Sequence, residues 1–147
     1  MSDEFDRKAW MGLLARAPAA DLDRLWARAG FAPEHSYLRP PEVGGVMVRG
    51  RAGATGAPFN LGEMTVTRCA LRLADGAVGH GYVQGRGKQH AVQAAMVDAL
   101  MQGPQAKEVR AAVLEPLAEA EASRRAARTA KAAATKVDFF TMVRGED

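Results

Sequence analysis

The chain has 147 residues, of which 48% are apolar and 25% charged, and its formal net charge is +3. This length favours one domain that needs no disulfide or metal to fold, and the single cysteine, Cys69, can form neither an internal bridge nor a zinc site. No apolar run approaches the ~20 residues that span a bilayer, and the acidic start lacks an apolar signal core, so we expect a cytoplasmic protein without a membrane segment.

Two helices are predicted at the start of the chain. Trp10, Leu13 and Leu14 keep helical spacing within a first helix over about residues 6–17. Pro18 separates this helix from the next, since it can begin a second helix. Gly30 is suited to end that second helix. Together the two helices form a short helical hairpin.

The pattern changes to that of strands between about residues 36 and 86. Pro40-Pro41 opens an extended stretch that leads to a strand over 46–51. Residues 63–73 form the longest strand candidate, because Cys69 and Leu71 fall on one face while Arg68 and Arg72 fall on the other.

Asp75-Gly76 is a strong hairpin signal after this long strand. The return strand covers 77–84, with Gly79 and Gly81 on one side and His80 and Tyr82 on the other. Short turns between the strands predict an antiparallel meander.

The C-terminal half returns to helix. Residues 88–102 carry a wide apolar arc, which is typical of a helix that is buried on more than one side. A helix over 105–122 follows, and Pro116 should kink or interrupt it. Residues 121–136 are charged and rich in alanine, which suits a solvated helix.

The order of elements predicts an α+β fold: an antiparallel sheet of three to four strands, flanked by the N-terminal helical hairpin and the C-terminal helices. Residues 1–136 form one domain in this interpretation. Residues 137–147, called here the apolar tail, form an extended C-terminal segment that docks on a partner or on the chain itself.

The apolar tail carries candidate partner-binding residues, because chain ends are usually polar and frayed. An apolar surface of this kind commonly marks a binding site. The tail either folds back on its own domain or anchors in another chain. The candidates for partner binding are Phe139, Phe140, Met142, Val143 and Arg144.

The segment from Gly85 to His90 is a candidate anion-binding site. It lies where the last predicted strand leads into the long helix, and a helix start offers free N–H groups and a positive dipole end. Arg86, Lys88 and His90 are the candidate ligands of a phosphate or other anion. A tight turn with solvated basic side chains, or a contact with a partner subunit, explains the same residues, and the spacing is not that of a P-loop.

The residues do not predict a catalytic site within this chain alone. No nucleophile with a neighbouring base stands out, and three scattered histidines with one cysteine predict no metal site and no intrinsic cofactor. The basic stretch around Arg124, Arg125 and Arg128 lacks the interleaved aromatic residues typical of nucleic-acid binding, so we expect no nucleic-acid partner.

Several short motifs, taken together, resemble one family. They are Trp10-Met11 with Leu14, Gly53-x-Thr55-Gly56-x-x-Phe59, Gly62-Glu63-x-Thr65-x-Thr67-Arg68, Asp75-Gly76, Gly85-Arg86-x-Lys88-Gln89-His90-Ala91, Asp98-Ala99-Leu100-Met101-Gln102, and Val137-Asp138-Phe139-Phe140-Thr141-Met142-Val143-Arg144-Gly145. In this order and spacing the chain resembles the PhnG family, the small G subunit of the bacterial carbon–phosphorus lyase system. The resemblance covers essentially the whole chain.

The resemblance implies a function that spacing alone does not show. In that system the G subunit acts with the H, I and L subunits to form alpha-D-ribose 1-methylphosphonate 5-triphosphate from MgATP and methylphosphonate, with release of adenine. G, H, I and J form a symmetric core complex, and the iron–sulfur J subunit later breaks the carbon–phosphorus bond. The resemblance implies that the I subunit holds the nucleosidase chemistry and that the G subunit has a structural or site-sharing role.

Two other functions remain open from the residues. A stand-alone nucleotide- or phosphate-binding module would be a soluble monomer that binds ATP unaided. A small basic nucleic-acid binder would show strongly salt-dependent binding. The sequence leaves open which subunit receives the apolar tail, and whether the terminal helices are exchanged between two copies.

Overall fold

A computed structural model of the chain describes residues 5–51, 56 and 58–145. The chain divides into two compact units, Met1–Leu117 and Ala118–Asp147. The boundary between the units lies inside a continuous helix, Glu115–Gly145. The sequence-based domain limit at residue 136 stays a prediction.

The two N-terminal helices are confirmed. Helix α1 (Arg7–Arg16) begins after Asp6, whose carboxylate accepts a hydrogen bond from the Ala9 N–H at 2.8 Å, as expected of an N-cap. Helix α2 (Ala19–Ala29) follows Pro18 and ends at Gly30, which has a φ of 76°. Glycine adopts this left-handed conformation without a steric penalty.

The sheet has three antiparallel strands in the order β1-β2-β3, namely β1 (His35–Arg51), β2 (Pro58–Leu73) and β3 (Val78–Gln84). The predicted meander is confirmed, and β1 begins earlier than expected. Its register against β2 shifts between Arg39 and Glu42. Pro40 and Pro41 lie between these residues, and a proline has no N–H to give to the ladder, which confines it to edge strands and irregular positions. Most of the segment between β1 and β2, which includes Gly53 and Thr55 of the family motif, lies outside the described residues.

The Asp75-Gly76 turn between β2 and β3 is confirmed. Gly76 has a φ of 95°, and the Asp75 carboxylate accepts a hydrogen bond from the Ala77 N–H at 2.9 Å. Both features are typical of tight turns. This turn aligns Leu71 with Gly79 across the two strands.

Helix α3 (Lys88–Leu100) lies against one face of the sheet, where the core forms. Cys69 and Leu71 are buried on this face, while Arg68 and Arg72 are exposed on the other. The predicted alternation along β2 is therefore confirmed. The apolar core is completed by α1, α2 and the segment that follows α3; it includes Trp10, Leu13, Leu14, Leu22, Leu25, Val109, Val113, Leu114 and Leu117.

The helical segment that follows α3 is interrupted as expected. Helix α4 (Ala106–Val109) leads into a π-helical turn (Arg110–Leu114), and helix α5 (Glu115–Gly145) follows. The ring of Pro116 conflicts with the carbonyl four residues earlier in an ordinary α-helix. The π-helical turn instead lets the Glu115 N–H bond to Arg110 O, five residues back.

The α+β class is confirmed, with three strands in the sheet. The extended form of the apolar tail is wrong as far as the structure describes it, because residues 137–145 continue helix α5. The alanine-rich residues before the tail are strong helix formers, and the helix they establish can propagate at little cost. No helix in the described ranges is both long enough and apolar enough to cross a membrane.

Candidate functional site

Asp98 is a buried carboxylate at which α1, α3 and β3 meet. Trp10 Nε1 donates to Oδ1 at 2.8 Å, and the backbone N–H of His80 donates to Oδ2 at 2.9 Å. Arg7 adds two bonds, from Nε to Oδ1 at 3.1 Å and from Nη2 to Oδ2 at 2.9 Å. These four donors satisfy a charge that would otherwise be costly to bury.

The same carboxylate accepts a hydrogen bond from the free edge of the sheet. β3 is an edge strand, and an edge strand exposes N–H groups that can pair with another chain. The bond from His80 to Asp98 uses one of these groups. The pKa of Arg7 is raised, first by its hydrogen bond to Asp98 and then by the attraction of the two charges, so Arg7 stays a cation. The geometry gives Asp98 a structural role.

The Gly85–His90 segment connects β3 to α3 through a left-handed glycine. Gly85 has a φ of 93°. Its N–H bonds to Thr65 O at 2.9 Å, and its carbonyl accepts from Thr67 Oγ1 at 2.7 Å. Arg86 and Lys88 are exposed on either side of Gly87. Gly87 is the N-cap of α3 and has no side chain that could bond to the free N–H groups of the helix start. Their predicted role in anion binding stays a prediction.

His90 is buried, whereas Arg86 and Lys88 are exposed. The Nε2 atom of His90 lies 2.9 Å from the carbonyl oxygen of Leu14. A ring nitrogen facing a carbonyl must carry the proton and donate. This bond links α3 to α1, so the imidazole contributes to packing, and the geometry does not favour it as an anion ligand.

Two glutamines of α3 form a link that sequence reasoning missed. Gln89 Nε2 and Gln93 Nε2 both donate to Asp23 Oδ1, at 3.0 and 2.8 Å. Their spacing of four residues places both on one side of a helix. This spacing was the sequence signal that could have indicated a shared partner. Because Asp23 belongs to α2, the bonds hold the helical hairpin against α3.

The apolar tail presents aromatic side chains on α5. Phe139 is 63% exposed and Phe140 is 52% exposed. The two rings pack edge to face with centroids 6.0 Å apart, and Lys136 Nζ lies 5.7 Å from the Phe140 ring centroid. The side chains of Met142, Val143 and Arg144 lie outside the described part. The partner-binding role of all five residues stays a prediction.

Within the described ranges, no group of three or more histidine, cysteine, aspartate or glutamate side chains could hold a metal ion. Cys69 is buried, and burial raises the pKa of its thiol above the ordinary value of 9.0. A raised thiol pKa keeps the sulfur protonated, and only the thiolate is an effective nucleophile. Cys69 therefore serves as a small core residue.

These features define a class of protein: a small α+β chain whose buried polar groups support the fold and whose last helix carries exposed aromatic residues. Comparisons with known proteins identify the family. Residues 5–145 match the family model described as phosphonate metabolism protein PhnG. The chain is also 48% identical over 144 residues to a protein of Rhizobium meliloti (strain 1021) named alpha-D-ribose 1-methylphosphonate 5-triphosphate synthase subunit PhnG.

This alignment covers 96% of the chain and 90% of the Rhizobium protein. The chain therefore belongs to the PhnG family of phosphonate metabolism proteins, which confirms the resemblance drawn from its motifs. Trp10 and Asp98 stand far apart in those motifs and meet in the structure. At least these two motif positions therefore have a role in the fold.

Proposed function

We propose that this chain is the G subunit of a cytoplasmic synthase that forms alpha-D-ribose 1-methylphosphonate 5-triphosphate from MgATP and methylphosphonate, with release of adenine. The observation that carries this proposal is the 48% identity to the Rhizobium subunit over nearly the full length of both chains. The partners in this proposal are the H and I subunits, the J subunit of the core complex, and the L subunit for the transferase step.

In this assembly we assign the chain a structural or site-sharing role. Two observations support the assignment. The buried carboxylate Asp98 is saturated by four donors, so it is not available as a general base. His90 is similarly engaged with Leu14. Catalysis of the transferase step then rests on groups of the other subunits, with MgATP as a substrate of the complex and no cofactor intrinsic to this chain.

We further propose that the apolar tail docks on a partner subunit. The exposed Phe139 and Phe140 support this, because aromatic side chains at the centre of an interface commonly contribute most to affinity. Folding back onto the same chain remains the alternative. The two forms differ in what deletion of the tail does to assembly.

Deleting residues 137–147 is expected to prevent co-purification of the chain with the H, I and J subunits on a sizing column. The double variant Phe139→Ala/Phe140→Ala should weaken the complex roughly tenfold or more, because two large apolar contacts are lost. The matched control is Arg128→Ala/Lys131→Ala in the same helix, which should assemble normally. A full chain that runs as a monomer with all partners present would contradict the subunit proposal, and ATP binding by that monomer would favour the stand-alone module.

We also propose that Arg86 and Lys88 contact the triphosphate or phosphonate at a subunit boundary. Both side chains are exposed next to the start of α3, where a helix dipole favours an anion. Charge-assisted hydrogen bonds of this kind contribute about 1.5–3 kcal/mol each.

The double variant Arg86→Ala/Lys88→Ala is expected to assemble normally and to raise the KM of the complex for MgATP or for methylphosphonate at least roughly tenfold. The control is Arg24→Ala/Arg28→Ala, which removes two exposed cations of α2. Unchanged assembly together with unchanged kinetics would refute a role for the two residues in anion binding.

A further inference from the structure

The face of the sheet that is turned away from α3, called here the outer face, carries an array of basic side chains. Cys69 and Leu71 point toward α3, so Arg68, Ala70 and Arg72 point away, since successive residues of a strand alternate. The pairing places Arg39 of β1 and His80 of β3 on either side of Ala70. Cross-strand partners share a face. The small side chain of Ala70 therefore lies on the outer face with basic side chains around it.

Apolar and aromatic groups lie beside these basic side chains. Tyr82 pairs with Arg68 in the register and is 44% exposed, and Leu38, next to Arg39, is 50% exposed. A shallow groove is lined by Leu38, Arg39, Arg68, Ala70, His80 and Tyr82. No helix in the described part of the first unit buries these side chains, which leaves a mixed aromatic and basic surface open.

The charge on this surface is not balanced within the described residues. Arg39, Arg68 and Arg72 form no ion pair with any described residue. Glu42 stands opposite Arg68 in the register and is the carboxylate nearest to the array in the ladder. Glu34 lines a neighbouring groove together with Arg72 and is a second carboxylate beside the array. Three guanidinium groups against these two carboxylates leave the face cationic.

We propose that the outer face binds a carboxylate-rich surface of another protein subunit. Arginine and tyrosine are enriched in protein interfaces and among the residues that dominate their affinity. A guanidinium group pairs with a carboxylate through two parallel hydrogen bonds and is weakly hydrated, which suits it to a desolvated interface. The proposal rests on the proposed function, since it requires that the chain assembles with other subunits.

The shape of the face favours a protein over a small anion. Sites for small molecules are concave and enclose most of the ligand, whereas this groove is shallow and spread across three strands. The exposed Leu38 and Tyr82 would remain in water around a bound phosphate. A protein surface would cover them together with the arginines.

The test uses the full-length chain with its H, I and J partners. The triple variant Arg39→Ala/Arg68→Ala/Arg72→Ala is expected to bind its partners at least tenfold more weakly and to show a flatter dependence of affinity on salt. Tyr82→Ala should weaken binding without changing the salt dependence. The control Arg24→Ala/Arg28→Ala/Lys107→Ala removes the same charge from other exposed positions and should bind as the unchanged chain does.

A second triple variant, Arg39→Lys/Arg68→Lys/Arg72→Lys, keeps the proposal testable if the alanine triple fails to fold. It keeps the charge, so it should retain the salt dependence while losing part of the affinity that bidentate pairing provides. If the alanine triple binds its partners as tightly as the unchanged chain, with the same salt dependence, the docking proposal is overturned while the proposed function stands. Failure of the unchanged chain to assemble would overturn both.

Inorganic phosphate and ATP provide the remaining arm of the test. Binding of either to the unchanged full-length chain, lost in the alanine triple while assembly is unaffected, would overturn the docking proposal in favour of a small-anion site. No such binding is expected at physiological salt, because exposed charges on an open surface are strongly screened.

Discussion

Replacing Asp98 with alanine is expected to lower the free energy of unfolding by about 3–4 kcal/mol. The substitution leaves the indole N–H of Trp10 and the backbone N–H of His80 without their acceptor. Each unsatisfied buried donor costs about 1–3 kcal/mol. Urea-induced unfolding of the full-length chain, followed by tryptophan fluorescence, measures the change.

Two variants separate the contribution of the buried hydrogen bonds to Asp98 from that of its ion pair with Arg7. Asp98→Asn keeps the shape of the side chain but turns one accepting oxygen into a donor that faces other donors, so it should cost nearly as much as alanine. Arg7→Ala should cost only about 1 kcal/mol, because the Arg7 side chain is 48% exposed and water screens its half of the ion pair. Equal losses for Arg7→Ala and Asp98→Ala would show that the ion pair alone, and not the buried donors, stabilises this junction.

The substitution Gly81→Ala is expected to destabilise the chain by at least about 3 kcal/mol, at the upper end of the range for overpacking. A methyl group on Gly81 would overlap the carbonyl oxygen of Ala91 and would lie 3.0 Å from its carbonyl carbon and 3.1 Å from the Ala95 nitrogen. These are backbone atoms of α3, so no change of rotamer relieves the overlap and the whole helix must move off the sheet. Thermal unfolding by circular dichroism measures the effect.

Gly44→Ala is the matched control. Gly44 also lies in a strand, has no positive φ, and its nearest neighbour beyond the adjacent residues would be Arg68 Nη2 at 4.0 Å. The change should alter stability by less than about 1 kcal/mol, since only the conformational freedom of the unfolded chain differs. Similar losses for Gly81→Ala and Gly44→Ala would argue that the close approach of α3 to β3 is not what requires glycine.

Local signals predicted most of the elements. Gly30 and Gly76 mark the end of α2 and the tight turn because both need a positive φ. Alternation along residues 63–73 predicted which face of β2 is buried, because the pleat of a strand has a period of two. Pro116 predicted an interruption, which the structure resolves as a π-helical turn. These signals act within a few residues, so they can be recognised in the sequence.

The helical apolar tail shows where local reasoning fails. The aromatic residues after Lys136 interrupt the alanine-rich pattern, and that change favoured an extended segment. Helix α5 nevertheless continues to Gly145, because adding one residue to an existing helix costs far less than starting one. Composition predicted the exposed apolar character of Phe139 and Phe140 but not their conformation.

The candidate site was predicted only in part. The change from strand to helix at Gly85 and the exposed basic residues Arg86 and Lys88 follow from turn chemistry and charge. The burial of His90 against Leu14 does not, because the two residues are 76 positions apart. A histidine beside two basic residues in the sequence can lie on another side of the helix start, and only the packing of α1 decides this.

By itself, the sequence determined the α+β class, the order of helices and strands, the strand faces and the PhnG family membership. All of these depend on short-range conformational preferences or on motifs read in order. Only the tertiary structure decided that Asp98 collects donors from α1 and β3, that Gly79 and Gly81 admit the backbone of α3, and that the basic residues around Ala70 share one open face. These depend on which elements pack together, and the free energy of packing is shared among residues that the sequence holds far apart.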